Sequence, residues 1–337
     1  MATETAQPKK RRTDGTREPT YLEAVHQAQL EEMRRDPSVI IMGEDLLDNV
    51  YGAAAGFLEE FGPERVRDTP LSETGYLGAG IGAAMTGLRP ICDLTIASFV
   101  YCCMDQLVSQ AAKNRYMFGG QANIPVTCRA AMFYAGNNAA HHSDRPYPML
   151  MNVPGLKIIA PSTPADMKGL LKAAIRDDDF VFSFEDASLW LTRGPIPEGD
   201  HVVPLGVADV KRAGTDVSIV AISGSVRHSL AAAEQLAEEG VSAEVVDPRS
   251  LVPMDWETIL GSVAKTGRLV VVDPAHRTCS AASEIAATVA ERAFSSLRAP
   301  IARVTTPDMQ IPFSPPLVRD LYPTKEKIVA AVHRVLA

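Results

Sequence analysis

Little in this sequence is built for a membrane or an oxidising compartment. No apolar run approaches the roughly 20 residues of a bilayer span, and the polar N-terminus carries no secretory signal. The five cysteines, Cys92, Cys102, Cys103, Cys128 and Cys279, are odd in number and form no CxxC pair. That argues against a disulfide frame or a cysteine zinc site and points to reduced thiols in the cytoplasm. Positive charge is also short. A net charge of -8 argues against a general nucleic-acid binder. The local exception is Lys9-Lys10-Arg11-Arg12, in a tail over residues 1–19 with almost no apolar side chains. Such a tail is expected to be disordered. It reads as a solubilising extension, with a nuclear-type address or a polyanion contact as alternatives. Outside it there are no internal repeats and no low-complexity stretches.

What is present is an alternation of strands and helices. The 337 residues suffice for two domains with a large core. Tyr21 to Arg35 carries Leu22, Val25, Ala28, Leu30 and Met33 at helical spacing, and Asp36-Pro37 stops it. Strands are expected at 39–42, 91–96, 125–128, 156–160 and 181–185, with a helix over 104–116. A second helix over 164–176 has Ser162 or Thr163 as cap and Pro164 at its first position. Beyond a Pro/Gly-rich stretch near Arg193 to Pro204 the pattern restarts. Strands are expected there at 217–221, 242–246 and 268–273, and helices at 225–239, 255–263 and 281–294. This is an α/β chain of two domains with mainly parallel sheets flanked by helices. The expected divisions are 20–194, a linker over 195–204, and 205–337. In such sheets ligands gather at the carboxyl ends of strands.

The stretch Arg65 to Pro90, RVRDTPLSETGYLGAGIGAAMTGLRP, places one carboxylate, Glu73, ahead of Gly75, Gly78, Gly80, Gly82, Ala83 and Ala84. Small residues there let a backbone or a flat ring approach closely. A helix N-terminus with an acidic first turn is an equal reading. Gly78-x-Gly80-x-x-Ala83 nearly fits a dinucleotide fingerprint, but a poor strand precedes it and Asp93 follows too soon.

Arg129 to Gly155 reads as a long loop between two strands and holds His141, His142, Asp144 and Arg145. A nucleophilic triad would need a G-x-S-x-G elbow, and Ser143 has none. A His-His-Asp metal site and an idle surface loop are alternatives. General acid–base work by a histidine, oriented by an acid, is the most economical reading. Phe99, Tyr101 and Tyr116 flank the helix expected before this loop, and core packing accounts for them.

Taken together, these segments resemble the β-subunit of thiamine-diphosphate-dependent 2-oxo acid dehydrogenases, of the transketolase-like superfamily. The similar text is MGED (42–45), DTPLSE (68–73), GAAMTGLRPICD (82–93), DQLVSQAAKNRYM (105–117), PGLKIIAPSTP (154–164), KGLLKAAIRDD (168–178) and KTGRLVVVD (265–273). Among members, the acetoin dehydrogenase β-subunit is most similar, through EMRRDPSV (32–39), Cys102-Cys103 and RYMFGG (115–120). The resemblance implies a pyrimidine-binding first domain and a transketolase C-terminal-like second domain. It implies that Glu73 bonds the aminopyrimidine of thiamine diphosphate and favours the imino tautomer that takes the thiazolium proton. It places Phe99 against the pyrimidine and makes His142 the active-site histidine, with His141, Asp144 and Phe133 in the substrate loop.

The sequence also departs from the family. Asp144 stands where the family has glutamine after His-Ser, and His141 where it has glutamine before the histidine. Phe133, Tyr134, Asn137 and Asn138 replace a glycine-rich run, and Arg145-Pro146-Tyr147-Pro148 replaces an aromatic stretch. An acid at 144 would raise the pKa of a touching histidine. The family's diphosphate and Mg²⁺ ligands, a Gly-Asp-Gly followed some 30 residues later by Asn, have no counterpart here. The resemblance therefore implies that an α-subunit holds diphosphate and Mg²⁺, in a two-α, two-β assembly, with no metal ligand in this chain. The expected reaction cleaves a carbon–carbon bond beside a carbonyl, in acetoin or a 2-oxo acid, and passes the acyl unit to a lipoyl acyltransferase. A stand-alone decarboxylase or carboligase, and a non-catalytic scaffold, are the alternatives.

Overall fold

The computed structural model describes residues 18–133 and 138–337. Most of the basic tail, and Tyr134 and Asn137 of the substitutions after Phe133, lie outside the described residues. The first helix, Tyr21–Arg35, begins in a reciprocal cap. Thr20 Oγ1 accepts from the Glu23 amide and the Glu23 carboxylate accepts from the Thr20 amide. Its buried face, including Tyr21, Val25, Ala28 and Met33, packs on the helix Pro164–Arg176. That second helix is capped by Thr163 and has proline at its first position, as its sequence indicates.

Among the described residues, twelve strands form two sheets. They are β1 Val39–Glu44, β2 Val66–Thr69, β3 Arg89–Ile96, β4 Thr127–Met132, β5 Lys157–Ile159, β6 Val181–Asp186, β7 Asp209–Arg212, β8 Val217–Ala221, β9 Ala243–Asp247, β10 Ser250–Val252, β11 Leu269–His276 and β12 Ala302–Thr306. The first sheet runs β10-β5-β6-β4-β3-β1-β2 and the second β12-β11-β8-β9-β7. All neighbours are parallel except two edge pairs, β10 with β5 and β7 with β9. β1, β4 and β6 are buried along their whole length, as parallel strands covered on both faces must be. The edge strand β10 comes from the second half of the chain, and one hydrophobic core runs through both halves, from Ile40 and Leu77 to Val246 and Ile285.

Several expectations need correction. No single helix spans 104–116. A 3₁₀ segment covers Ala97–Cys103, a π-helical segment Gln106–Ala111 and a short helix Asn114–Met117. Leu107 and Ala111 of the π-helical segment are buried, while Tyr116 and Met117 beyond it are exposed. Arg129 is not in a loop but in β4, so the irregular segment begins at Phe133. The segment also contains the turn Ala140–His142 and the short helix Tyr147–Met151. The sequence reading left β2, β7, β10 and β12 unassigned, with the helices Phe57–Phe61 and Lys325–Leu336. The small residues after Glu73 lie in one helix, Glu73–Met85, packed on β3. A Cβ at Gly80 would sit 2.6 Å from Cys92 Sγ, so this glycine permits helix–sheet approach. The Gly78-x-Gly80 pair is in mid-helix, where no dinucleotide turn exists.

Candidate active site

Acids and a buried cation collect at the carboxyl ends of the central strands of the first sheet. Arg129 on β4 donates Nε to Glu185 Oε1 and Nη2 to Glu185 Oε2, both at 2.7 Å, and Nη1 to Asp93 on β3. All three groups are buried. Burial pushes the Glu185 carboxyl up, against the opposing pull of Arg129. Beside this network, at the end of β1, lies Glu44. It is 3% exposed, and neither carboxyl oxygen has a hydrogen-bond partner among the described residues. Burial, then the charges of Glu73, Asp45 and Asp93, push its pKa up to about 7.

Glu73 is the first residue of the helix Glu73–Met85 and is half-buried. An acid there complements the helix dipole, and its charge acts on Glu44. Further polar atoms near this end are unsatisfied. Tyr76 Oη, Ser98 Oγ and His142 Nδ1 are all buried without a partner among the described residues. The Tyr76 hydroxyl is driven far up by burial and by the Glu44 and Glu73 charges.

The 3₁₀ segment Ala97–Cys103 joins the pieces. The Cys102 carbonyl accepts from Thr74 Oγ1, one residue beyond Glu73. Phe99 meets the His142 ring edge-on, with centroids 5.5 Å apart and planes at 80°. Burial, then the neighbouring Asp144 carboxylate, pushes the Tyr101 hydroxyl up to about 12. The structure thus brings Glu73, Phe99, His142 and Asp144 around one short segment. His141 is exposed at the turn beside His142. Phe133 belongs to a different group, against Trp190 at 5.5 Å and Tyr51 at 5.7 Å. Among the described residues no three His, Cys, Asp or Glu side chains gather as a metal site, so the His-His-Asp reading finds no such cluster.

Sequence reasoning missed Glu44 and Tyr101. Glu44 had a signal, an acid ending a β-branched run. Its raised pKa depends on burial and then on Glu73, 29 positions later, and no local pattern shows that. Tyr101, read as core packing, is instead 44% exposed beside the Asp144 carboxylate.

This donor set suits a flat heterocycle with ring nitrogens and an amino group. Comparison with known proteins identifies the families of the two halves. The transketolase pyrimidine binding domain family matches residues 17–189 and the transketolase C-terminal domain family residues 206–328. The β-subunit of acetoin:2,6-dichlorophenolindophenol oxidoreductase from Bacillus subtilis is 44% identical over 328 residues, covering 93% of this chain and 96% of that one. Its counterpart from Cupriavidus necator is 46% identical over 326 residues, covering 93% and 96%. The 2-oxoisovalerate dehydrogenase β-subunit of Bacillus subtilis is 41% identical over 320 residues, covering 94% and 98%. A solved split-gene transketolase, described as an inactive beta4 tetramer, superposes with a TM-score of 0.76 at 24% identity, over 94% of this chain and 98% of that one. At that identity the likeness speaks for the fold.

Proposed function

This chain belongs to the β-subunits of the heteromeric thiamine-diphosphate-dependent acetoin and 2-oxo acid dehydrogenases, and from that premise we propose that it cleaves a carbon–carbon bond beside a carbonyl. Its substrate would be acetoin or a 2-oxo acid, and its α-subunit would carry diphosphate and Mg²⁺. The observation that carries this reading is the pairing of Glu73, at a helix start, with the buried and unpartnered Glu44. When bound, thiamine diphosphate supplies a nucleophilic carbon able to cleave such a bond.

The residues of this chain do the rest. Glu73 would hold the pyrimidine ring by a hydrogen bond that favours one of its tautomers. Glu44 holds its own proton up to about pH 7, so the two acids avoid a full double charge in a shielded site. Phe99 offers an apolar face beside the ring and buttresses His142. His142 moves a proton to or from the substrate. His141, Asp144 and Phe133 belong to the surrounding loop, where the Asp144 carboxylate neighbours Tyr101.

The sequence holds no Gly-Asp-Gly and Asn set for diphosphate and Mg²⁺, which supports a two-α, two-β assembly with a shared site. The division into 20–194, a linker at 195–204 and 205–337 is part of the same reading, supported by sheets that change over between β6 and β7. Acyl transfer to a lipoyl acyltransferase and a cytoplasmic location complete it. The five cysteines are all free thiols, and no helix among the described residues is long and apolar enough to cross a membrane.

The test is co-expression with the α-subunit and a panel of acetoin and 2-oxo acids, with and without a lipoyl acceptor. Glu73→Gln should abolish turnover while gel filtration shows unchanged assembly. Wild-type rates in that variant would overturn the assignment. Turnover without the lipoyl acceptor, giving free aldehyde or a ligated product, would favour the stand-alone alternative.

A further inference from the structure

The geometry points to Arg145 as a positioning residue that fixes His142 by tying its loop to Tyr322 in the second half of the chain. This rests on the role proposed for His142. Arg145 is 6% exposed. Its Nη2 donates to the Phe133 carbonyl at 2.6 Å and its Nη1 to the Ser143 carbonyl. One guanidinium therefore grips the chain where it leaves β4 and again directly after His142. The same Nη1 reaches Tyr322 Oη at 3.3 Å, and the guanidinium carbon lies 4.6 Å from the centre of the Tyr322 ring. That is cation–π stacking combined with directed hydrogen bonds, which a planar fork provides and an ammonium does not.

The platform is itself anchored. Tyr322 packs with Ile311 and Val318 in a small separate core. Lys327 Nζ donates to the Tyr322 carbonyl at 3.2 Å. On the other side, Pro146 follows Arg145 immediately, and Tyr147 donates its hydroxyl to Asp273 on β11. The Phe133 ring is held by Tyr51 and Trp190. Both ends of the histidine loop are thus clamped to packed structure through residue 145. The imidazole between them leans on Phe99 alone among the described aromatic rings. Here the sequence also leaves the family pattern, since Arg145 opens the stretch that replaces the family's aromatic one.

The test is epistasis in the assembled enzyme with its α-subunit, using whichever of acetoin or a 2-oxo acid the wild type turns over. Arg145→Lys should lower kcat by about 10- to 100-fold, the scale of a misplaced catalytic group. The KM for thiamine diphosphate should not change. In a His142→Ala background the same substitution should alter kcat by less than about twofold, because a residue acting through His142 has nothing left to position. Tyr322→Leu approaches from the far side and should behave like Arg145→Lys, whereas Tyr322→Phe, which keeps the ring, should recover most activity. If Arg145→Lys fails to assemble, the Tyr322 pair carries the same test. Equal losses in both backgrounds, or wild-type kcat in Arg145→Lys and Tyr322→Leu beside a slow His142→Ala, would overturn the inference alone. A silent His142→Ala would instead overturn the reading beneath it.

Discussion

The edge of the Phe99 ring meets the His142 imidazole at 5.5 Å, across two segments that share no regular secondary structure. Their contact fixes where a proton-carrying side chain stands relative to the helix that starts at Glu73. We expect His142→Ala to slow turnover by about 10²-fold or more, the usual worth of general acid–base assistance. Phe99→Leu should cost less, about 0.5–1.5 kcal/mol for the lost ring pair. Steady-state kinetics on the assembled enzyme checks both, and a loss seen only in thermal melting would assign the pair to packing.

Glu44 makes stability depend on pH. Its folded pKa is raised to about 7 from an ordinary 4.5, so the native state holds the proton more tightly than the unfolded chain. The stabilisation this linkage gives is complete below about 4.5 and is lost as pH rises through 7. Glu44→Gln removes that dependence. In thermal melts of the chain, the variant should gain on wild type steadily between those pH values. A constant offset across the range would show that the Glu44 proton is not linked to folding.

Arg129 compensates two buried carboxylates at once. Arg129→Leu leaves Asp93 and Glu185 without a countercharge, which should cost about 3–5 kcal/mol. The loss should deepen with rising pH, because protonation of the orphaned acids relieves it. Denaturation at pH 6 and pH 8 measures the difference. Replacing Arg129, Asp93 and Glu185 together with apolar residues of like volume should recover much of the stability.

Gly80→Ala sets a side chain 2.6 Å from Cys92 Sγ and 3.3 Å from Met42 Sδ. Overpacking of that kind costs about 1–3 kcal/mol. Gly82→Ala meets nothing within 4 Å and, in mid-helix, should be neutral or stabilising. The thermal midpoint of Gly80→Ala should fall while that of Gly82→Ala holds or rises, and a shared loss would show that the whole run of small residues is needed.

Legibility in the sequence followed locality. The helices Tyr21–Arg35 and Pro164–Arg176 announce themselves through caps, proline and apolar spacing, all within a few residues. The buried parallel strands read as β-branched runs. Glu73, Phe99 and His142 could be singled out because their neighbours in the chain are distinctive. The stretch 97–117 could not be resolved, because its apolar residues fit a helical period while tertiary contacts impose 3₁₀ and π turns. Likewise, three-residue strands such as β10 carry too little pattern to declare a partner some 90 positions away. The orphaned state of Glu44 and the closeness of Asp144 to Tyr101 exist only once distant segments meet.

The antiparallel pairing of Ser250–Val252 with β5 has a bearing on synthesis. During translation the first half of the polypeptide emerges with one flank of its large sheet bare, and it stays bare until residue 252 has cleared the ribosome. An open flank of this kind invites pairing with other nascent chains. Hybrid genes that exchange the C-terminal half between relatives would therefore have to bring a compatible closing strand with it.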